Sequence, residues 1–126
     1  MKRVYLPIAL VGLLICTSVV VAQKVQRVRF PKGRTSAVLK GAVIRATKDR
    51  YILGAGAGQT MIVHISSIEN NALFYITGPG GVELPGAEDE ADTTDWTGEL
   101  PVSGDYSIHV TPSRGNATYT LEVTIR

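Results

Sequence analysis

The clearest pattern in the chain is a strict alternation near its C-terminus. Tyr106, Ile108 and Val110 are separated by Ser107, His109 and Thr111, and Tyr119, Leu121, Val123 and Ile125 by Thr120, Glu122 and Thr124. A period of two places one apolar and one polar face on an extended strand, as an antiparallel sheet packed on one side requires. Weaker versions recur upstream. Val25 to Phe30 alternates apolar with basic residues before Pro31-Lys32-Gly33 breaks it, and Ala37 to Ala46, Arg50 to Ala55 and Gln59 to Ser67 follow as predicted strands. Ala72 to Thr77 is another, stopped by Gly78-Pro79-Gly80-Gly81, which is dense turn chemistry. Leu84 to Glu99 is irregular and acidic, with one short strand expected around Asp95 to Gly98. Pro112-Ser113-Arg114-Gly115-Asn116 is expected to join the last two strands as a hairpin loop. No segment shows sustained helical spacing. The pattern predicts an all-β fold, an antiparallel β-sandwich of seven to eight strands, with Tyr106, Ile108, Val110, Tyr119, Leu121 and Val123 in its core.

The one long apolar stretch that is not strand-like lies at the start. Lys2 and Arg3 precede Val4 to Cys16, and small or β-branched residues run to Ala22. Val20 and Ala22 suit the −3 and −1 subsites of a signal peptidase, so residues 1–22 are expected to be a signal peptide cleaved before Gln23, leaving residues 23–126 as one domain. Two other fates compete. Val4 to Ala22 is nearly long enough for an uncleaved anchor, although Pro7 and Thr17-Ser18 weaken it. Leu13-Leu14-Ile15-Cys16 outlines a lipid-attachment site, although Ile15 is bulkier than the Gly, Ala or Ser that such sites favour. Each fate implies export, to the periplasm or beyond, and contact with a membrane only through this segment.

Composition narrows the chemistry. Cys16 is the single cysteine, so the exported domain has no disulfide, no zinc–thiolate site and no cysteine nucleophile. Charge is segregated: residues 23–50 hold nine basic side chains and one acid, Asp49, whereas residues 83–105 hold eight acids and no base. Opposite patches of this kind face solvent, meet each other or steer a charged partner. With eleven basic and eleven acidic residues after Arg3, the domain is near neutral, which argues against a nucleic-acid partner.

No enzyme signature survives inspection. His64 and His109 stand mid-strand between aliphatic residues, without an acid at ligand or triad spacing. Gly54-Ala55-Gly56-Ala57-Gly58 lacks the Lys and Ser/Thr of a phosphate loop and reads as a connector. Glu88-Asp89-Glu90-Ala91-Asp92-Thr93-Thr94-Asp95 offers hard oxygens for calcium but not the spacing of an EF-hand loop. Neither a catalytic residue nor a cofactor is expected.

A resemblance sharpens the reading. Phe30-x-Lys-Gly33, Tyr51 followed by Ala57-Gly58-Gln59, Leu73-Phe74 running into Gly78-Pro79-Gly80, and Leu100-Pro101-x-Ser103-Gly104-Asp105-Tyr106 together resemble the periplasmic inhibitors of g-type (goose-type) lysozyme across essentially all of the chain after the signal. Ser103-Gly104-x-Tyr106 is similar to the Ser-Gly-x-Tyr element of bacterial lysozyme inhibitors. The same features also resemble bacterial pre-peptidase C-terminal modules, which are non-catalytic binding domains. The inhibitor resemblance implies a lysozyme partner and a loop that plugs the muramidase cleft. The partner-binding residues it implies are Ser103, Gly104, Asp105 and Tyr106, with Arg114 added from the loop after the next strand. Tyr106 opens its strand on the apolar side, so its ring is expected in the core with its hydroxyl tying down the loop.

Overall fold

The computed structural model describes residues 24–126; the expected signal peptide and Cys16 lie outside these residues. Eight strands form two four-stranded sheets that pack face to face. In chain order they are β1 (Val25–Arg27), β2 (Ser36–Val43), β3 (Asp49–Ala55), β4 (Thr60–Ser67), β5 (Ala72–Thr77), β6 (Asp95–Glu99), β7 (Gly104–Pro112) and β8 (Ala117–Ile125). One sheet has the order β1-β3-β7-β5 and the other β2-β8-β4-β6. All pairings are antiparallel except β1 with β3.

The alternation in the sequence becomes the core. On β8, Tyr119, Leu121 and Val123 are buried while Thr118 and Glu122 are exposed. On β7, Tyr106, Ile108 and Val110 are fully buried against Tyr51 and Leu53 of β3 and Phe74 and Ile76 of β5. Each fully buried aliphatic or aromatic side chain contributes about 1.5–3 kcal/mol, and with no cysteine after Cys16 this burial and the strand ladders hold the domain.

Three features depart from the expectation. First, β7 and β8 lie in different sheets, so Pro112 to Asn116 is a crossover between layers and not a hairpin loop. Alternation assigns each strand's inner face, but two strands packed across a core read the same as two strands side by side. The crossover is wound around Asn71, whose buried amide donates to the carbonyls of Arg114 (3.1 Å) and Asn116 (3.0 Å). Second, β2 ends at Val43 rather than Ala46, because the amide of Thr47 closes a turn on the Ile44 carbonyl and Ala46 turns left-handed at φ 64°. Third, the acidic segment before β6 does more than connect. Ile76 donates to the Ala87 carbonyl, Leu84 to Ile76 and Phe74 to Thr93, so this segment covers the open edge of β5 before crossing to β6.

A polar cluster crosses the core. Tyr119 Oη donates to Asp49 Oδ2 (2.6 Å) and lies 2.6 Å from Tyr51 Oη, which accepts from Lys24 Nζ at 3.2 Å. Burial and the Asp49 carboxylate hold the Tyr119 phenol far above its ordinary pKa. Gly41 on the adjacent strand β2, paired directly with Tyr119, makes room: a Cβ there would stand 2.5 Å from the Tyr119 hydroxyl.

Candidate binding loop

The Ser-Gly-x-Tyr element starts β7 and follows the loop from Leu100. Two neighbours flank it at the same end of the sandwich, the β3–β4 turn (Gly56 to Gln59) and the turn after β5 (Gly78 to Val82). Leu100 is buried and locked to the first neighbour: its amide donates to the Gln59 carbonyl, and Gly58 donates to the Leu100 carbonyl, both at 2.8 Å. Ser103 is exposed, and its Oγ accepts the Ala57 amide at 2.9 Å. Gly104 has φ +148°, where a side chain is strained, and a Cβ would lie 2.7 Å from Pro79 Cγ of the second neighbour.

Tyr106 anchors the loop from beneath. Its ring is fully buried, and its hydroxyl donates to the Val102 carbonyl four residues upstream at 2.6 Å. This is the arrangement of a tyrosine corner, as the sequence predicts. Asp105 points to the outer face of its sheet and forms a two-pronged contact with Arg27, at 2.8 and 3.3 Å. The Arg27 guanidinium holds this exposed carboxyl below its ordinary range. Val82 and Val102 are exposed on either side of a shallow apolar depression of about 180 Å³ over Pro79, Leu84, Pro101 and Tyr106. The result is a stiff, exposed ridge with the Ser103 hydroxyl at its crest.

Of the expected site residues, Ser103, Gly104, Asp105 and Tyr106 are together at this end. Arg114 is not among them. It follows the far end of β7, where its guanidinium donates to the Glu69 carbonyl at 2.8 Å. The acidic segment is also displaced from the ridge: Thr93 pairs with Phe74, and Asp89 lies near Lys48 and the Tyr75 half of β5. The sequence marks Gly54 to Gly58 only as a connector, Gln59 as the start of a strand and Pro79 as part of a turn; their role as clamps depends on strands distant in the chain coming to one end.

The histidines have structural settings. His64 pairs with Asp95 of the neighbouring strand on an exposed face. His109 stacks on Tyr75 at 4.3 Å between ring centroids, with Nε2 3.0 Å from Thr77 Oγ1 and Nδ1 buried without a hydrogen-bond partner. Among the described residues, no group of three or more His, Cys, Asp or Glu side chains is placed to hold a metal.

Comparison with known proteins decides the family. The chain is 33% identical over 119 residues to the inhibitor of g-type lysozyme of Escherichia coli (strain K12), covering 92% of this chain and 86% of that protein. The chain belongs to this inhibitor family. The crystal structure of the Aeromonas hydrophila periplasmic inhibitor of g-type lysozyme is 36% identical and superposes with a TM-score of 0.67, covering 83% of this chain and all of that one. The Salmonella Typhimurium inhibitor gives 28% identity and a TM-score of 0.65 over the same shares. The pre-peptidase C-terminal domain of a Bacillus anthracis collagenase shares the fold, with a TM-score of 0.60, at 13% identity and 83% of this chain. No protein-family model matches. Membership in this periplasmic inhibitor family agrees with the expectation of export and with a non-catalytic binding role.

Proposed function

We propose that this protein blocks g-type lysozyme by seating the Leu100 to Gly104 ridge in the muramidase cleft. Family membership supplies the partner, and one observation carries the site: Ser103 is exposed on a loop already fixed by bonds to Gly58, Gln59, Ala57 and Tyr106. A loop fixed before binding loses little conformational entropy when it docks. The Ser103 hydroxyl donates to a carboxylate of the cleft while its lone pair keeps the Ala57 amide. Gly104, Asp105 and Tyr106 act through position: Gly104 by the positive φ that turns the chain into β7, Asp105 held by Arg27 and Tyr106 by Val102. Arg114 lies outside this surface. The acting form comprises residues 23–126, released by cleavage after Ala22, which intact-mass measurement of the exported protein tests.

The functional test is lysis of a cell-wall suspension by g-type lysozyme, followed by turbidity, with purified protein added. The unmodified protein stops clearing. Ser103→Ala raises the concentration needed by about tenfold, equivalent to about 1.4 kcal/mol for a hydrogen bond to a charged group. Gly104→Asp abolishes inhibition, and Arg114→Ala leaves it unchanged. Unaltered inhibition by the first two variants, with the fold intact, removes the ridge from the interface.

A further inference from the structure

Four strand edges bound the two sheets, and three of them are blunted. β1 is three residues long, β5 is covered by the segment through Ala87 and Thr93, and β6 lines its edge with Asp95 and Glu99. The edge of β2 is eight residues long and lies open among the described residues. Its bonding phase is fixed by Ile125, whose amide donates to the Thr35 carbonyl at 2.9 Å. Thr35, Ala37, Leu39, Gly41 and Val43 therefore turn their backbone groups toward β8, and Ser36, Val38, Lys40 and Ala42 turn theirs outward. Such an edge is a template for strand addition, which natural proteins otherwise suppress.

We propose that a second copy of this chain pairs here, antiparallel, about a two-fold axis at Leu39. This register sets Val38 against Lys40 of the second copy and Ser36 against Ala42, so every outward amide and carbonyl of the strand meets a partner. Side chains fit the same register. Val38 is 61% exposed, and half-buried Leu39 lies at the rim of the core; each becomes covered, Leu39 by its own counterpart. Charge selects the register too. Val38 sits directly across from Glu122 on the outer face, so Lys40 of the second copy lies over Val38 and reaches Glu122, two strand spacings of about 4.8 Å away. Neither Lys40 nor Glu122 has an ion pair among the described residues. A register that faced Lys40 with its own counterpart would set like charges together, so the lysine that discourages other pairings permits this one. The two-fold axis sends the two Ser103 ridges to opposite ends, and both stay open.

Sedimentation equilibrium of the purified protein tests this. The expected result is a mass that rises to two chains with concentration. Val38→Pro removes an outward amide unused within the chain and is expected to leave a folded monomer whose lysozyme inhibition per chain is unchanged. Leu39→Cys in a Cys16→Ser background brings equivalent α-carbons to about 4.5 Å, so mild oxidation is expected to give a covalent dimer. Lys40→Glu weakens association several-fold, and adding Glu122→Lys restores it. A mass of one chain at every concentration, or an undiminished dimer in folded Val38→Pro, overturns the proposal. Its fate is independent of the lysozyme assay.

Discussion

Two side chains show how local surroundings set behaviour at the scale of single residues. Tyr106 has its ring in the core and its hydroxyl on the Val102 carbonyl, so Tyr106→Phe preserves packing and frees the loop. The expected outcome is a loss of about 1 kcal/mol in denaturant unfolding together with weaker inhibition, whereas a purely structural hydroxyl would alter only the first. His109 is held neutral: burial, then the Lys48 and Arg50 charges, push its pKa down to about 4. The unfolded chain titrates near 6.5, so between the two values it binds more protons than the folded protein. Stability is therefore full above about pH 6.5 and falls as the pH drops toward 4, by an amount on the order of 2 kcal/mol. Urea unfolding across this range checks it, and His109→Gln should flatten that part of the profile.

At the scale of elements, the joints between strands carry unusual responsibility. Asn71 holds the crossover from β7 to β8 through two amide bonds while itself buried. Asn71→Ala leaves two carbonyls without partners and is expected to cost about 2–3 kcal/mol in thermal or chemical unfolding. The contact between β2 and β8 is equally specific at Gly41, where an added methyl group meets the Tyr119 hydroxyl. Gly41→Ala is expected to cost about 1–3 kcal/mol, and pairing it with Tyr119→Phe should not restore stability, because Asp49 then loses its donor. An intact Tm in either single variant would contradict this account of the core.

Across the whole molecule, the legible part of the fold was what period two encodes. The inner faces of β7 and β8 follow from Tyr106 to Val110 and Tyr119 to Ile125, and both are core. What alternation does not encode is which sheet a strand joins, hence the misplaced hairpin at Pro112 to Asn116. The loop was legible through the family resemblance that Ser103-Gly104-x-Tyr106 carries, in which Gly104 takes a positive φ and the Tyr106 phenol anchors the chain. Its clamps were not, since Ala57, Gln59 and Pro79 reach it only after distant strands pair. Arg114 shows the converse: it follows β7 in the chain, and the length of that strand carries it to the pole opposite Ser103.

The parallel strand β1 has a practical corollary. It meets β3 at the Asp49 end, with the Lys24 carbonyl accepting from Arg50, whereas Arg126 is bonded to Thr60 beside the ridge. The seven residues of β3 separate these levels by roughly 20 Å. Attachment through the first described residues therefore presents the Ser103 ridge, the surface proposed to enter the lysozyme cleft, outward to a sensor chip, a resin or a fused carrier. Cargo linked after Arg126 would crowd it. A surface coated through the N-terminal side should capture lysozyme at full stoichiometry, and one coated through the C-terminal side at a fraction of it.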